Sequence, residues 1–191
     1  MKQKGTDKRI IKTKTRLKNA LILLLQKKKL EDISVVELTE LAMINRKTFY
    51  LHYQEVSAIL LEIENHLSEN LFSIIKDYEF SFASLKEFLY NIFNTIMQDE
   101  YVVKLLTSTY YMNHIVETLD KVLIESLTKK YKMIKQNCKL KINLMIEYHV
   151  YGSLKMFVNW LKDDSKTLGF NDFIAFLHLL IFNSITGRAI E

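Results

Sequence analysis

The chain has 191 residues, 49% of them apolar, with no proline and only four glycines, which excludes a disordered chain or a turn-rich sheet protein and favours an all-α fold. The net charge of +5 is uneven, because residues 1–55 carry 13 Lys and Arg against 6 Asp and Glu, whereas residues 56–191 carry 14 against 16. A basic head on a near-neutral body is expected where one end of a protein meets a polyanion, although a solvated lysine-rich tail gives the same balance.

The first predicted helix begins near Arg9 and ends at the lysine run of residues 27–29. Leu17, Leu21 and Leu24 recur at steps of three and four residues, which is the period of one face of an amphipathic helix. Lysines suit the last turn, because the C-terminal end of a helix carries a partial negative charge. We therefore expect a basic helix with one apolar face.

Two short helices are predicted next, each with its own capping residue. Ser34 and Glu37 form a capping box, in which Ser34 accepts a hydrogen bond from the Glu37 amide and the Glu37 side chain reaches back. Asn45, a favoured N-cap, comes before a helix of about two turns that covers residues 46–53. A turn of about three residues separates the two helices, which is the layout of a helix-turn-helix.

The rest of the chain is predicted to form a helical body. Ser84 and Glu87 make a further capping box, which opens the second helix of this body. The apolar periodicity places helices over about 56–78, 84–97, 111–133, 139–161 and 171–188. We expect a helix-turn-helix domain over 9–55 and a helical regulatory and dimerisation domain over 56–191.

The last two predicted helices, 139–161 and 171–188, are apolar nearly all round. Such a helix needs cover on every side, and a single subunit offers only part of that cover. We expect the same two helices of a second copy to supply the rest, in the isologous four-helix interface of a homodimer. Gly152 either lets two helices approach closely or is simply a tolerated small residue.

Residues 15–60 resemble the DNA-binding head of the tetracycline-repressor (TetR) family. The similarity lies in the first helix with its lysine run, in Asp32-Ile33-Ser34-Val35, and above all in the recognition helix. That helix reads Asn45-Arg46-Lys47-Thr48-Phe49-Tyr50-Leu51-His52-Tyr53, in which Tyr-x-His-aromatic is the most telling part. Its form Ile-Asn-Arg-x-Thr-Phe-Tyr looks like a branch that includes regulators near dihydroxyacetone kinase operons, to which Gly152 and Trp160 are also similar.

Three positions depart from the pattern of that family. Lys28 and Lys29 stand where the first helix often ends in glycine, and Ala42-Met43-Ile44 replaces Ala-Gly-Val in the turn. Val56 replaces a lysine that touches phosphate, which removes one expected DNA contact, although an apolar residue is common there in that branch. The resemblance implies a dimeric transcription regulator, which we expect to be a repressor controlled by a small-molecule effector.

The second short helix is predicted to enter the major groove of double-stranded DNA, which admits one α-helix and whose phosphates attract positive charge. Arg46, Lys47 and Thr48 lie in its first turn, where the positive end of the helix dipole adds to the side chains. Phe49 and Tyr53 are interpreted as apolar anchors for this helix. The candidate DNA-binding residues are Ser34, Thr39, Asn45, Arg46, Lys47, Thr48, Tyr50 and His52.

The resemblance also implies an effector pocket among the aromatic and Met-rich middle helices, although such a stripe is more often ordinary core. The candidate pocket residues are Phe93, Met97, Tyr110, Tyr111, His114 and Tyr148. We expect no metal site and no cofactor, because the histidines are scattered without Cys or carboxylate partners at ligand spacing.

Other functional classes find little support in the sequence. It contains no glycine-rich phosphate loop, nucleophile elbow or zinc motif, so we do not expect an enzyme. Cys138 is the only cysteine, and no apolar stretch is long enough to span a membrane, so we expect a cytoplasmic protein. The alternative function is a helical co-regulator that binds a protein partner and has weak or no DNA binding, which the missing lysine at Val56 favours.

Overall fold

The computed structural model describes residues 3–79, 81, 83–132, 139–165 and 167–186. Within these ranges all regular elements are helical and no strand occurs, which confirms the predicted all-α class. A short 3-10 turn, Leu30–Asp32, connects the first two helices. The α-helices are α1 (Gln3–Leu25), α2 (Val35–Ala42), α3 (Arg46–Tyr50), α4 (Ser57–Asp77), α5 (Leu85–Gln98), α6 (Glu100–Thr107), α7 (Met112–Lys132), α8 (Lys139–Leu161) and α9 (Phe170–Thr186).

The helices form two compact units. The first unit comprises Met1–His66 with Glu100–Ile115, and the second comprises Leu67–Asp99 with Val116–Glu191. The long helix α4 therefore contributes its first half to the first unit and its second half to the second. The predicted domain boundary between residues 55 and 56 stays a prediction, since this grouping follows spatial contacts and draws α6 into the first unit.

The core of the first unit is built on the apolar face of α1. Leu17, Leu21 and Leu25 are fully buried, as are Leu38 of α2 and Phe49 of α3. The helix α6 also packs against α1, and the Ser108 hydroxyl that follows α6 donates a hydrogen bond of 2.7 Å to the Leu25 carbonyl. This bond satisfies one of the carbonyls that the C-terminal end of α1 leaves without a partner inside the helix.

The turn between α2 and α3 depends on a left-handed residue. Met43 has φ 51° and ψ 50°, and its amide donates to the Glu40 carbonyl at 3.0 Å while the Ile44 amide donates to Thr39 at 2.9 Å. Such a cap closes a helix readily with glycine, whereas a side chain in this conformation is strained. The sequence thus has methionine where the backbone favours glycine.

Replacing Met43 with glycine is expected to stabilise the first unit. The substitution removes the left-handed strain, which costs about 1–2 kcal/mol, but increases the chain entropy of the unfolded state, so we expect a net gain of about 0.5–1 kcal/mol. Because the Met43 side chain is exposed, little packing is lost. Chemical denaturation measures the gain, and Met43→Ala, which keeps the strain, is the control. Equal stability of the two variants would contradict the strain at this position.

Aromatic packing organises the second unit. The Phe93 ring of α5 lies 4.7 Å from the Phe157 ring of α8 and 6.1 Å from the Phe173 ring of α9, measured between centroids. Trp160 stacks on Phe173 at 5.2 Å, and its indole N–H donates to the Leu168 carbonyl at 2.8 Å. These rings join α5, α8 and α9, and the indole bond fixes the segment that leads into α9.

The capping box predicted at Ser84 and Glu87 is wrong. Ser84 adopts a helical conformation with φ −92° and ψ −6°, and its side chain makes no capping hydrogen bond to α5. Its hydroxyl instead donates to the Glu79 carbonyl at 3.0 Å and lies 2.8 Å from the Ser81 hydroxyl. The serine pair thus stabilises the turn before α5, a local alternative to capping that serine often takes.

A membrane-spanning segment requires both length and apolarity. None of the helices in the described ranges combines the two to the extent that crossing a bilayer needs.

Candidate functional site

The two short helices α2 and α3 begin as the sequence predicts. The Asn45 side chain accepts a hydrogen bond of 2.8 Å from the Lys47 amide, and the Ser34 hydroxyl accepts one of 3.2 Å from the Glu37 amide. Both residues are therefore N-caps, in agreement with the predictions. The Glu37 carboxylate pairs with the Lys28 ammonium at 2.5 Å, so part of the lysine run fastens the end of α1 to α2.

The helix α3 has one buried side and one exposed side. Phe49 is fully buried in the first unit, and Tyr53 is nearly so, which confirms both as anchors. Successive residues of an α-helix are about 100° apart, so Lys47 and Leu51, two positions either side of Phe49, point away from the core. Leu51 is 80% exposed, and Arg46, Lys47 and Tyr50 are exposed as well.

The remaining predicted DNA-binding residues fall into three environments. Ser34 and Asn45 are exposed while they serve as caps, and Thr48 is half-buried beside Phe49. His52 is half-buried and lines a cleft of the first unit. Arg46, Lys47, Tyr50 and Leu51 form what we call the α3 surface; Leu51 was not among the predicted residues.

Thr39 does not lie on the surface of the first unit. Its side chain is 2% exposed, and its hydroxyl donates to the carbonyls of Val35 and Val36 at 2.7 and 3.0 Å. A threonine in a helix often bonds back to the preceding turn in this way. The residue therefore belongs to the core, and its predicted DNA contact stays a prediction that this burial does not support.

A carboxylate on α4 connects this helix to α1 and to the segment that follows α3, all within the first unit. Glu62 lies 2.7 Å from the Lys14 ammonium and 3.0 Å from the Lys18 ammonium, both on α1. The Tyr53 hydroxyl, just past α3, donates to the same carboxylate at 3.1 Å. Glu62, Lys14, Lys18 and Tyr53 form what we call the α4 junction, which the sequence analysis missed because its members are far apart along the chain.

The charges of the α4 junction change the titration of its members. Burial alone would raise the pKa of Glu62, but hydrogen bonds and charges from Lys14 and Lys18 outweigh it and lower the pKa to about 2. Burial, together with the neighbouring Glu62 charge, raises the pKa of Tyr53 well above its usual range. Glu62 is therefore a carboxylate and Tyr53 a hydroxyl donor at any pH between about 5 and 9.

The second unit contains an apolar cavity of about 100 Å³. Side chains from α5, α7, α8 and α9 line it together with Tyr78, which follows α4, and these include Phe88, Phe93, Leu123, Ile146, Leu154 and Ile181. Of the candidate effector residues, Phe93 lines this cavity. The polar side chains in its wall include His149 and Ser153.

The other candidate effector residues lie in different places. Tyr111 and His114 belong to the first unit, where the Tyr111 hydroxyl and the His114 Nε2 lie 2.9 and 3.1 Å from the Glu64 carboxylate. Tyr148 is 73% exposed and Tyr110 is exposed as well, while Met97 is half-buried at the end of α5. Of these residues, Met97 and Tyr148 belong to the second unit, and neither is among the residues that line its cavity.

The helices α8 and α9 carry large apolar side chains on their surfaces. Leu144, Tyr148 and Tyr151 are exposed at four- and three-residue spacing on α8, and Phe176 and Leu179 are exposed on α9. We call these five residues the apolar stripe. A Cβ added at Gly152 would meet no atom within 4 Å, so a glycine is not required there by packing inside one chain.

Comparison with known proteins gives structural matches. No protein-family model matches this sequence, and no curated protein sequence is significantly similar to it. A TetR transcriptional regulator from Streptococcus agalactiae 2603V is 20% identical with a TM-score of 0.62, and the match covers 93% of this chain and 97% of that chain.

Two further solved structures have the same architecture. FadR from Bacillus subtilis, solved in complex with stearoyl-CoA, is 16% identical with a TM-score of 0.56 over 92% of this chain and 99% of that chain. The dihydroxyacetone kinase operon activator DhaS is 15% identical with a TM-score of 0.52 over 93% of this chain and 98% of that chain. The chain therefore has the fold of TetR-like transcriptional regulators.

Proposed function

We propose that this protein is a dimeric, sequence-specific DNA-binding transcription regulator of the TetR family, acting in the cytoplasm. One observation carries the proposal: the short helix α3 is capped by Asn45 and anchored by the buried Phe49, while Arg46 and Lys47 extend into solvent. A helix held in this way presents both its side chains and its positive dipole end to the phosphates that border a major groove.

Charge and assembly support the same proposal. The +7 balance of residues 1–55 supplies the electrostatic attraction to DNA. The apolar stripe suits an isologous interface built from 139–161 and 171–188, of which residues 187–188 lie outside the described residues. Two copies of α3 would then meet two half-sites of an operator, as helix-turn-helix dimers do.

We further propose that the regulator is a repressor and that a small molecule in the cavity of the second unit releases it from DNA. The cavity supports this proposal, and so does the complex of Bacillus subtilis FadR with stearoyl-CoA, which shows that one protein of this fold binds a small molecule. A reporter gene placed behind the operator measures the sign of regulation. Lower expression with the protein present supports repression, and higher expression would make the protein an activator.

Selection of DNA by the purified protein tests the proposed function. Genomic fragments retained by the full chain at about 0.15 M salt are sequenced and compared with the unselected pool. We expect the retained fragments to share a pseudo-palindromic motif, because a two-fold dimer mirrors its operator. Retention without any shared motif would instead favour a helical co-regulator that binds a protein partner, as the apolar Val56 suggests.

Lys47 is predicted to contact phosphate. The substitution Lys47→Ala is expected to weaken binding to selected and scrambled duplexes by a similar factor, because phosphates carry no sequence information. It should also reduce the slope of log affinity against log salt by about 0.9 for the one contact removed. Titrations at four salt concentrations measure both effects. An unchanged slope with affinity lost for one sequence only would make Lys47 a base contact.

Arg46 is predicted to read a base. Arginine binds guanine through two hydrogen bonds, and the loss of such a contact costs about 1–3 kcal/mol of discrimination. We therefore expect Arg46→Ala to reduce the preference for the selected duplex over the scrambled one by about 5- to 150-fold. Tyr50→Phe is the comparison variant, since it removes one hydroxyl and should lower affinity without changing the preference. A preference that survives Arg46→Ala would make Arg46 a phosphate contact.

A further inference from the structure

The cavity of the second unit has a wall of apolar side chains with few polar atoms. Phe88 and Phe93 of α5, Leu123 of α7 and Leu154 of α8 are all buried around it. One water-sized sphere occupies about 10–15 Å³ of cavity volume. A cavity of about 100 Å³ therefore has room for roughly seven to ten non-hydrogen atoms. Apolar cavities of this size accept ring-sized apolar molecules.

The lack of charged side chains among the described residues of this wall restricts the chemical class of the ligand further. Among the described residues that line the cavity there is no Lys, Arg, Asp or Glu. An anionic group buried there would lose its hydration without gaining a cation, which is strongly unfavourable. The lining therefore selects against carboxylates and phosphates and in favour of neutral molecules.

His149 provides a hydrogen-bond acceptor in the wall. The Ser184 hydroxyl lies 2.8 Å from the Ile181 carbonyl, to which it donates, and 3.0 Å from the His149 Nε2, where the direction of the hydrogen bond depends on the tautomer of the ring. Burial lowers the pKa of His149, which extends the neutral form of the ring to pH values below its usual pKa. In the tautomer whose Nε2–H donates to Ser184, the Nδ1 of the neutral ring carries a lone pair, which accepts a hydrogen bond from a hydroxyl group.

We propose that this cavity binds a neutral molecule of about seven to ten non-hydrogen atoms that is apolar except for one hydroxyl group, the class of simple phenols and short-chain alcohols. The hydroxyl donates to His149, and the apolar part fills the space between α5, α7 and α8. That this ligand is the effector rests on the proposed function, whereas its binding to the cavity does not.

Three probes of nearly equal size test this ligand class on the full chain by calorimetry at pH 7.5. They are 4-methylphenol, 1,4-dimethylbenzene, which replaces the hydroxyl with a methyl group, and 4-methylbenzoate, which is anionic. We expect 4-methylphenol to bind about 3- to 10-fold more tightly than 1,4-dimethylbenzene, the range that one net hydrogen bond supplies. We expect 4-methylbenzoate to bind at least about 100-fold more weakly than 4-methylphenol. Equal or tighter binding of the benzoate, or no binding of the phenol, would overturn the proposal.

Two variants locate the binding. Leu123→Trp fills the cavity and should abolish binding of 4-methylphenol, whereas Phe72→Trp, at an exposed position on α4, should leave it unchanged. His149→Phe should remove the preference for 4-methylphenol over 1,4-dimethylbenzene. This measurement still tests the proposal if Leu123→Trp does not fold. A preference that persists in His149→Phe would contradict the assigned acceptor.

The DNA complex separates the ligand class from the proposed function. Release of the selected duplex by 4-methylphenol, absent in the folded Leu123→Trp variant, supports both. Binding of 4-methylphenol without release supports the ligand class and contradicts its role as effector. Selective DNA binding by a protein that does not bind 4-methylphenol supports the regulator and overturns the ligand class.

Discussion

Replacing Phe176 with Asp is expected to convert the protein from a dimer into a monomer of 22.6 kDa. Phe176 is 44% exposed in the single chain, so a charged side chain at this position leaves the core of the second unit intact. In an interface made by the apolar stripe, the same carboxylate would be buried without a partner, at a cost of several kcal/mol. Sedimentation at micromolar concentration measures the change.

Loss of the dimer should also abolish tight operator binding. Two linked half-site contacts gain at least about 100-fold in affinity over one, and a monomer forfeits that gain. Phe72→Asp is the matched control, because Phe72 is 49% exposed on α4, also in the second unit. A Phe176→Asp protein that remains dimeric, or a control that dissociates equally, would contradict an interface at the apolar stripe.

Replacing Glu62 with Gln is expected to change DNA binding in two opposite ways. The α4 junction positions the end of α3, so its loss should reduce the preference for the selected duplex by about tenfold or more. Lys14 and Lys18 lose their ion pairs with Glu62 at the same time and become available to phosphates. The affinity for a scrambled duplex should therefore rise, and the slope of log affinity against log salt should steepen by about 1–2. A purely destabilising substitution would lower binding to both duplexes.

The matched control for Glu62→Gln is Glu69→Gln, an exposed position on the same helix with the same charge change. It should leave the sequence preference unchanged. Because the pKa of Glu62 is lowered to about 2 in the folded state, its stabilising effect is present above about pH 4.5 and is lost as the pH falls towards 2. Over this pH range the free energy of unfolding of the unaltered protein should therefore fall by about 1 kcal/mol more than that of Glu62→Gln. The difference is modest because Glu62 is partly exposed.

Local signals in the sequence predicted the fold well where capping residues were decisive. Asn45 and Ser34 lie only two and three residues before the amides they cap, so their residue types were sufficient. Ser84 has the same signature, but the neighbouring Ser81 offered its hydroxyl a competing partner. The short helix α6 was not predicted, because eight residues carry too little periodicity unless a capping signature marks their start, as Ser34 does for α2. Its packing on α1 depends on contacts far along the chain.

The candidate site was predictable as a segment and less so as a set of side chains. The exposed Arg46 and Lys47 follow from their place in α3, whereas the burial of Thr39 depends on how α2 packs. The α4 junction links residues 48 positions apart, which no local pattern reveals. The pocket positions of the aromatic side chains were the hardest to predict, since Phe93 lines the cavity whereas Tyr148 is exposed to solvent. Composition does not say which face of a helix is covered by its neighbours.

Sequence-specific DNA binding is tested by titrating the unaltered full chain onto two duplexes of equal length. One carries the motif shared by the retained genomic fragments, the other carries the same bases scrambled, and both are measured at about 0.15 M salt. We predict that the selected duplex binds at least about 1,000-fold more tightly, the lower bound for specific over non-specific binding. Equal affinities for the two duplexes would contradict a sequence-reading head and leave the co-regulator as the function of this fold.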